Sequence, residues 1–134
     1  MKVINFRVNG VRRVGVAEGS QVYDLTAVFS RYGSQIRSVE EILQLGYLEE
    51  LEKAKRESSD VYTLEGIRVD PAVRSPQKIF LAAVNYYSPS REGNLARPQQ
   101  PYLFTKFTNA LVGAYDDVRK PRSTSRMDYE GELA

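Results

Sequence analysis

The sequence predicts a small α+β domain over residues 1–72, followed over residues 73–134 by a second, mainly-β portion. Three observations carry that expectation. Asn9-Gly10 separates two β-prone runs, Ser38-Val39-Glu40-Glu41 introduces helices, and Lys78 to Val84 is a nearly continuous apolar run that begins only after two prolines.

Lys2 to Arg7 alternates polar residues with Val3, Ile4 and Phe6, and Val11, Val14 and Val16 resume beyond Asn9-Gly10. Asn-Gly favours the type I′ hairpin turn, whose two central residues need φ > 0. After Glu18-Gly19-Ser20, Gln21 to Leu25 adds a third strand, and Thr26 or Asp24 caps a short helix over Ala27 to Tyr32 that stops at Gly33. The second helix opens on a capping box in which Ser38 accepts from the third helical amide and Glu41 reaches back, with Ile42, Leu43 and Leu45 following before Gly46. A third helical run, Tyr47 to Glu57, sets Leu48, Leu51 and Ala54 on one stripe. Its outer face offers the pairs Glu49 to Lys53 and Glu52 to Arg56, worth about 0.3 kcal/mol each. Val61 to Leu64 and Gly66 to Val69 read as a small strand pair, and Asp70 to Pro76 is a linker that its prolines hold out of helix.

Beyond the linker the apolar run at Ile79 to Val84 has the length and content of a strand buried on both faces. It delivers Asn85-Tyr86 to a polar, proline-rich stretch from Ser88 to Pro101, which is either an active-site lid or a connector. Tyr102 to Phe107 alternates as a strand with Lys106 amid aromatic residues, where it must meet an anion or snorkel to water. Asn109 to Gly113, a turn near Asp116-Asp117 and Pro121 lead to the closing run Asp128-Tyr129-Glu130-Gly131-Glu132-Leu133-Ala134.

Composition bounds the function. The 134 residues are 42% hydrophobic and 27% charged, which suits one ordinary core or two small ones. Nineteen basic against seventeen acidic residues leave +2, and the basic cluster around Arg119-Lys120-Pro121-Arg122 is too short for a nucleic-acid surface. There is no cysteine, which excludes disulfides, thiolate metals and cysteine nucleophiles. No window approaches a membrane span and the start has no apolar leader, so a cytoplasmic location is expected.

In an extended backbone Glu130 and Glu132 leave one face roughly 6.6–7 Å apart, a spacing that lets a cation sit between them. Carboxylate oxygens suit Mg²⁺, Mn²⁺ or Ca²⁺, and the chain has no His or Cys for softer metals.

Taken in order, Lys78-Ile79, Asn85-Tyr86, Pro101 with Phe104 and Lys106, Val112-Gly113, Pro121 and the run from Asp128 to Ala134 resemble the catalytic domain of the fumarylacetoacetate hydrolase family. The N-terminal part is similar to the small domain that precedes the catalytic one in many members. The resemblance implies a mainly-β catalytic barrel, of which residues 73–134 are an incomplete first portion. It implies Mg²⁺ or Mn²⁺ held by Glu130 and Glu132, with a third carboxylate, an Asp, further along. Members act on 2-oxo, 2-enol or β-diketo acids by C–C hydrolysis, decarboxylation, dehydration or isomerisation, the ion stabilising an enolate. Lys106 would face the same charge, and Asn85 and Tyr86 would bind the substrate. A homodimer is usual.

Two departures qualify the resemblance. Many members carry a lid His paired with a Glu, and here Pro89 stands at the His position and Glu92 at the Glu position. A His–Glu dyad is therefore excluded, hydrolysis becomes less favoured than isomerase, decarboxylase or dehydratase chemistry, and Glu92 is left as proton shuttle. The family's Glu-Leu-Ala run also begins a central strand, so the chain reads as the front of a longer protein whose remainder belongs to the same polypeptide or a second chain. The alternative is a non-catalytic binding or scaffold protein of the same shape.

Overall fold

The computed structural model describes residues 1–86 and 98–133. The chain is mainly β with few helices. Its elements are β1 (Lys2–Val8), β2 (Val11–Glu18), β3 (Gln21–Asp24), α1 (Thr26–Arg31), α2 (Val39–Gln44), α3 (Leu51–Glu57), β4 (Val61–Thr63), β5 (Arg68–Val69), β6 (Ile79–Ala83) and β7 (Tyr102–Lys106). Among the described residues no helix is long and apolar enough to cross a membrane.

The hairpin forms where Asn9-Gly10 places it. Val8 pairs with Val11, and the turn residues have φ of 49° and 78°, the signs a type I′ turn requires. At the head of α1 neither Asp24 nor Thr26 is the cap residue; Leu25 is, while Asp24 Oδ1 accepts from Thr26 N at 2.8 Å and Thr26 Oγ1 accepts from Val14 N. Ser38 caps α2 by accepting from Glu41 N, but Glu41 reaches one residue further back than a capping box would, to Arg37 N at 2.6 Å. The third helix is shorter than its amphipathic stripe. It begins at Leu51, because the left-handed Gly46 ends α2 and Tyr47 turns inward to bond Ser34 and meet Phe29, leaving Leu48 exposed in the intervening turns. Lys53 pairs with Glu57, and Lys55 reaches Glu18 on β2.

The strands at 61–64 and 66–69 do not pair with each other. The sheet order is β4-β3-β2-β1-β5, so β4 and β5 occupy opposite edges although only residues 64–67 join them. Flat edges would stand about 19 Å apart at ~4.8 Å per strand. Five residue steps span at most about 18 Å, and a 3-10 turn at Leu64–Gly66 shortens that reach. The sheet must therefore curl. Phe6 of β1 and Tyr62 of β4 meet across it with ring centroids 6.0 Å apart, and Gly15 on β2 makes room for the Phe6 ring. A Cβ on Gly15 would lie 2.4 Å from Tyr23 O and 3.0 Å from the Phe6 ring. Val14, Val16, Leu25, Phe29, Ile36 and Ile42 are buried with Leu51 and Ala54 between the sheet and the helices.

Residues 70–74 are fastened to this core rather than loosely tethered. Fully buried Asn5 donates to Glu40 Oε2 and to the carbonyls of Pro71 and Ala72, and accepts from Val39 N. Arg74 donates to Asp70 and to the carbonyls of Phe6, Arg13 and Arg37, while its amide reaches Glu40 Oε1 at 2.5 Å. Burial alone would push the Glu40 carboxyl up, but hydrogen bonds from backbone amides, Asn5 and Ser38 outweigh it and the net displacement is downward. A carboxylate with a depressed folded pKa adds stability that is complete above its unfolded value and drains away as pH falls through the folded one. Glu40→Gln is therefore expected to be less stable than the parent near neutrality, with the gap narrowing below the ordinary glutamate value of 4.5. Urea unfolding repeated down to about pH 3 reads this directly.

Residues 113–116 attach the second portion to the edge of the sheet. Arg68 of β5 grips Asp116 through both carboxylate oxygens at 3.0 and 2.8 Å, and Asp116 also accepts from Gly113 N. Position 113 lies so close that a Cβ would stand 2.1 Å from Val69 O, so the contact requires glycine.

Candidate metal and substrate site

β6 and β7 form an antiparallel pair in which Ile79 faces Lys106, Leu81 faces Phe104 and Ala83 faces Tyr102. Directly opposed residues share a face, so Lys106, Phe104, Leu81 and Ala83 lie together. The other face carries Phe80 and Leu103, both 60% exposed. The expectation of a strand buried on both faces is thus corrected: β6 is half-buried, because among the described residues its single partner is β7, whose residues are all exposed.

Val84 ends β6 at φ 53°. For a β-branched residue the left-handed region is sterically costly, by roughly 1–2 kcal/mol. The turn it makes leads the chain into Asn85 and Tyr86. Nothing in the sequence signals this conformation, since valine is among the residues least suited to it.

Residues 126–133 belong to no strand, so the strand expected at Glu-Leu-Ala is absent from the described residues. Two bonds tie the run to the end of β6. Asn85 Nδ2 donates to Glu132 Oε2 at 2.7 Å, and Leu133 N donates to the Tyr86 hydroxyl at 2.9 Å. The result is a cavity of about 750 Å³ whose wall includes Leu81, Phe104, Asn85, Tyr86, Lys106, Glu130 and Glu132. Five of the residues singled out from the sequence therefore surround one space. Glu92 and Pro89 lie outside the described residues.

The donor set at this cavity is two carboxylates, hard oxygen ligands that fit Mg²⁺, Mn²⁺ or Ca²⁺ in kind. Neither Glu130 nor Glu132 is engaged by an arginine or lysine among the described residues, so both charges are available. The set is partial: among the described residues no three acidic, His or Cys side chains gather closely enough to hold an ion. The signal missed in the sequence was Asn85's engagement with Glu132, which links residues 47 positions apart.

Residues 78–134 match the family profile described as fumarylacetoacetate (FAA) hydrolase C-terminal. A mitochondrial oxaloacetate tautomerase of Xenopus laevis is 28% identical over 126 residues, which is 91% of this chain and 39% of that protein. A mitochondrial oxaloacetate tautomerase of Homo sapiens is 37% identical over 62 residues, 46% of this chain and 20% of that protein. An uncharacterised protein of Archaeoglobus fulgidus is 41% identical over 59 residues, 44% of this chain and 24% of its own length. The chain thus spans well under half the length of the curated relatives it matches. The matched portion, residues 78–134, bears Lys106, Glu130 and Glu132, and it belongs to the fumarylacetoacetate hydrolase family.

Proposed function

We propose that this chain is the front part of a divalent-cation-dependent enzyme that interconverts the keto and enol forms of a 2-oxo acid. The observation that carries the reading is the convergence of Glu130, Glu132, Lys106 and Tyr86 on one cavity. Oxaloacetate tautomerases among the relatives favour isomerisation over the other reactions of the class, as does the lack of histidine in this chain.

Glu130 and Glu132 hold the cation, which when bound supplies Lewis-acid stabilisation of negative charge on the substrate's oxygens. Lys106, on the shared face of β6 and β7, adds a fixed positive charge toward the developing enolate oxygen. Tyr86 accepts the Leu133 amide proton, so its own O–H remains free to donate to a substrate oxygen, with Asn85 beside it at the substrate's edge. Phe104 and Leu81 supply an apolar wall to the cavity. In the reaction a C–H bond at C3 breaks, an O–H bond forms at the 2-oxo oxygen, and no oxidant or reductant is needed. Glu92 carries the proton between them.

Further polypeptide, continuing this chain or supplied as a second one, completes the barrel after an α+β domain at residues 1–72. It contributes an aspartate as third ligand, and the working unit is a homodimer. The exposed Phe80 and Leu103, and the fraction of each relative left unmatched, support this part of the reading.

The test titrates Mg²⁺ or Mn²⁺ against the full chain joined to its completing polypeptide, with oxaloacetate as substrate and enol absorbance as readout. Ion-dependent acceleration of enol decay is expected. A rate indifferent to the ion would overturn the reading, and tight ion binding without turnover would favour a non-catalytic binding protein.

A further inference from the structure

We infer that Asn85 is a positioning residue, whose amide holds the Glu132 carboxylate in the orientation that receives the cation. The inference rests on the reading of Glu130 and Glu132 as ligands. It adds the group that orders one of them before the ion arrives.

The closing run is the part of the site least able to order itself. Residues 126–133 join no strand, and both glutamates are exposed. The end of β6 grips this run at two adjacent points: Asn85 holds the side chain of Glu132, and Tyr86 holds the backbone amide of Leu133. The costly turn at Val84 leads directly into both anchoring residues.

The chemistry of the partner matters as much as its position. An arginine or lysine at position 85 would neutralise the carboxylate and compete with the ion. A neutral amide satisfies Oε2 while leaving the charge and Oε1 for a metal. Partners of this kind, one bond removed from an ion, set ligand orientation, and losing one typically weakens metal affinity by about 10–100-fold.

The experiment measures Mn²⁺ binding to the full chain by electron paramagnetic resonance, without substrate, for the parent, Asn85→Leu and Asn85→Gln. Asn85→Leu keeps the branched outline of the side chain and removes the donor, and is expected to weaken Mn²⁺ binding roughly tenfold. Its bound-ion spectrum should broaden as the ligand loses its fixed orientation, while the thermal midpoint of the ion-free chain stays that of the parent. Asn85→Gln restores a donor and should recover most of the affinity. Parent-like Mn²⁺ binding by Asn85→Leu would overturn the inference while leaving the cation site intact. So would a loss that Asn85→Gln does not reverse, or one that tracks a lowered thermal midpoint. Failure of the parent itself to bind Mn²⁺ would instead remove the reading of the two glutamates as ligands, and this inference with it.

Discussion

Glu130→Gln is expected to weaken Mn²⁺ binding by the full chain roughly hundredfold, about 2.8 kcal/mol at 1.4 kcal/mol per decade. The change preserves side-chain volume and removes one of the two negative charges at the cavity. With two carboxylates available and neither balanced by an ion pair among the described residues, each carries a large share of the attraction. Isothermal titration in dilute buffer is the appropriate readout, because salt screens exposed charges such as these. An affinity within threefold of the parent, roughly 0.67 kcal/mol by the same conversion, would place the ion elsewhere. Turnover in the completed enzyme should fall with binding.

Arg74→Ala is expected to cost about 3 kcal/mol of stability, the largest effect anticipated from any single polar side chain in the sheet and its linker. Arg74, its side chain 10% exposed, packs against the 6%-exposed Asp70. Its guanidinium also satisfies the carbonyls of Phe6, Arg13 and Arg37, which come from two strands and the approach to α2. Truncation leaves those carbonyls without their partner and Asp70 with Arg7 alone. Arg68→Ala is the matched comparison, since Arg68 makes a bidentate pair but is 62% exposed, and exposed pairs contribute about 1 kcal/mol or less. Urea midpoints should separate the two variants clearly. Equal losses would show that the linker is not fastened through Arg74.

What the sequence made legible was mostly local. Asn9-Gly10 specifies its turn through φ preferences of two residues, and Ser38 specifies a helix start through one hydroxyl and one amide three positions on. Such signals act within a few residues and survive any tertiary setting. The separation of β4 from β5 could not be read that way, because it depends on curl of the whole sheet around Phe6, Gly15 and Tyr62. The third helix is shorter than its stripe for a related reason. The stripe through Leu48, Leu51 and Ala54 is amphipathic, but the capture of Tyr47 by Ser34 and Phe29 determines where the helix begins. At the candidate site, residue identities were visible because Lys106, Glu130 and Glu132 stand in ordered blocks along the chain. The bonds from Asn85 and Tyr86 were not, since they join residues 47 positions apart.

The backbone at Val84 has one more consequence. A peptide cut from this stretch would relax residue 84 to the extended form that β-branched residues favour, and would swing its amide-bearing neighbour away from the acidic arm. The pocket's outline is therefore a debt owed to the assembled hairpin. Damage that frays the pairing between Ala83 and Tyr102 should reach the glutamates early, even from substitutions that touch neither of them.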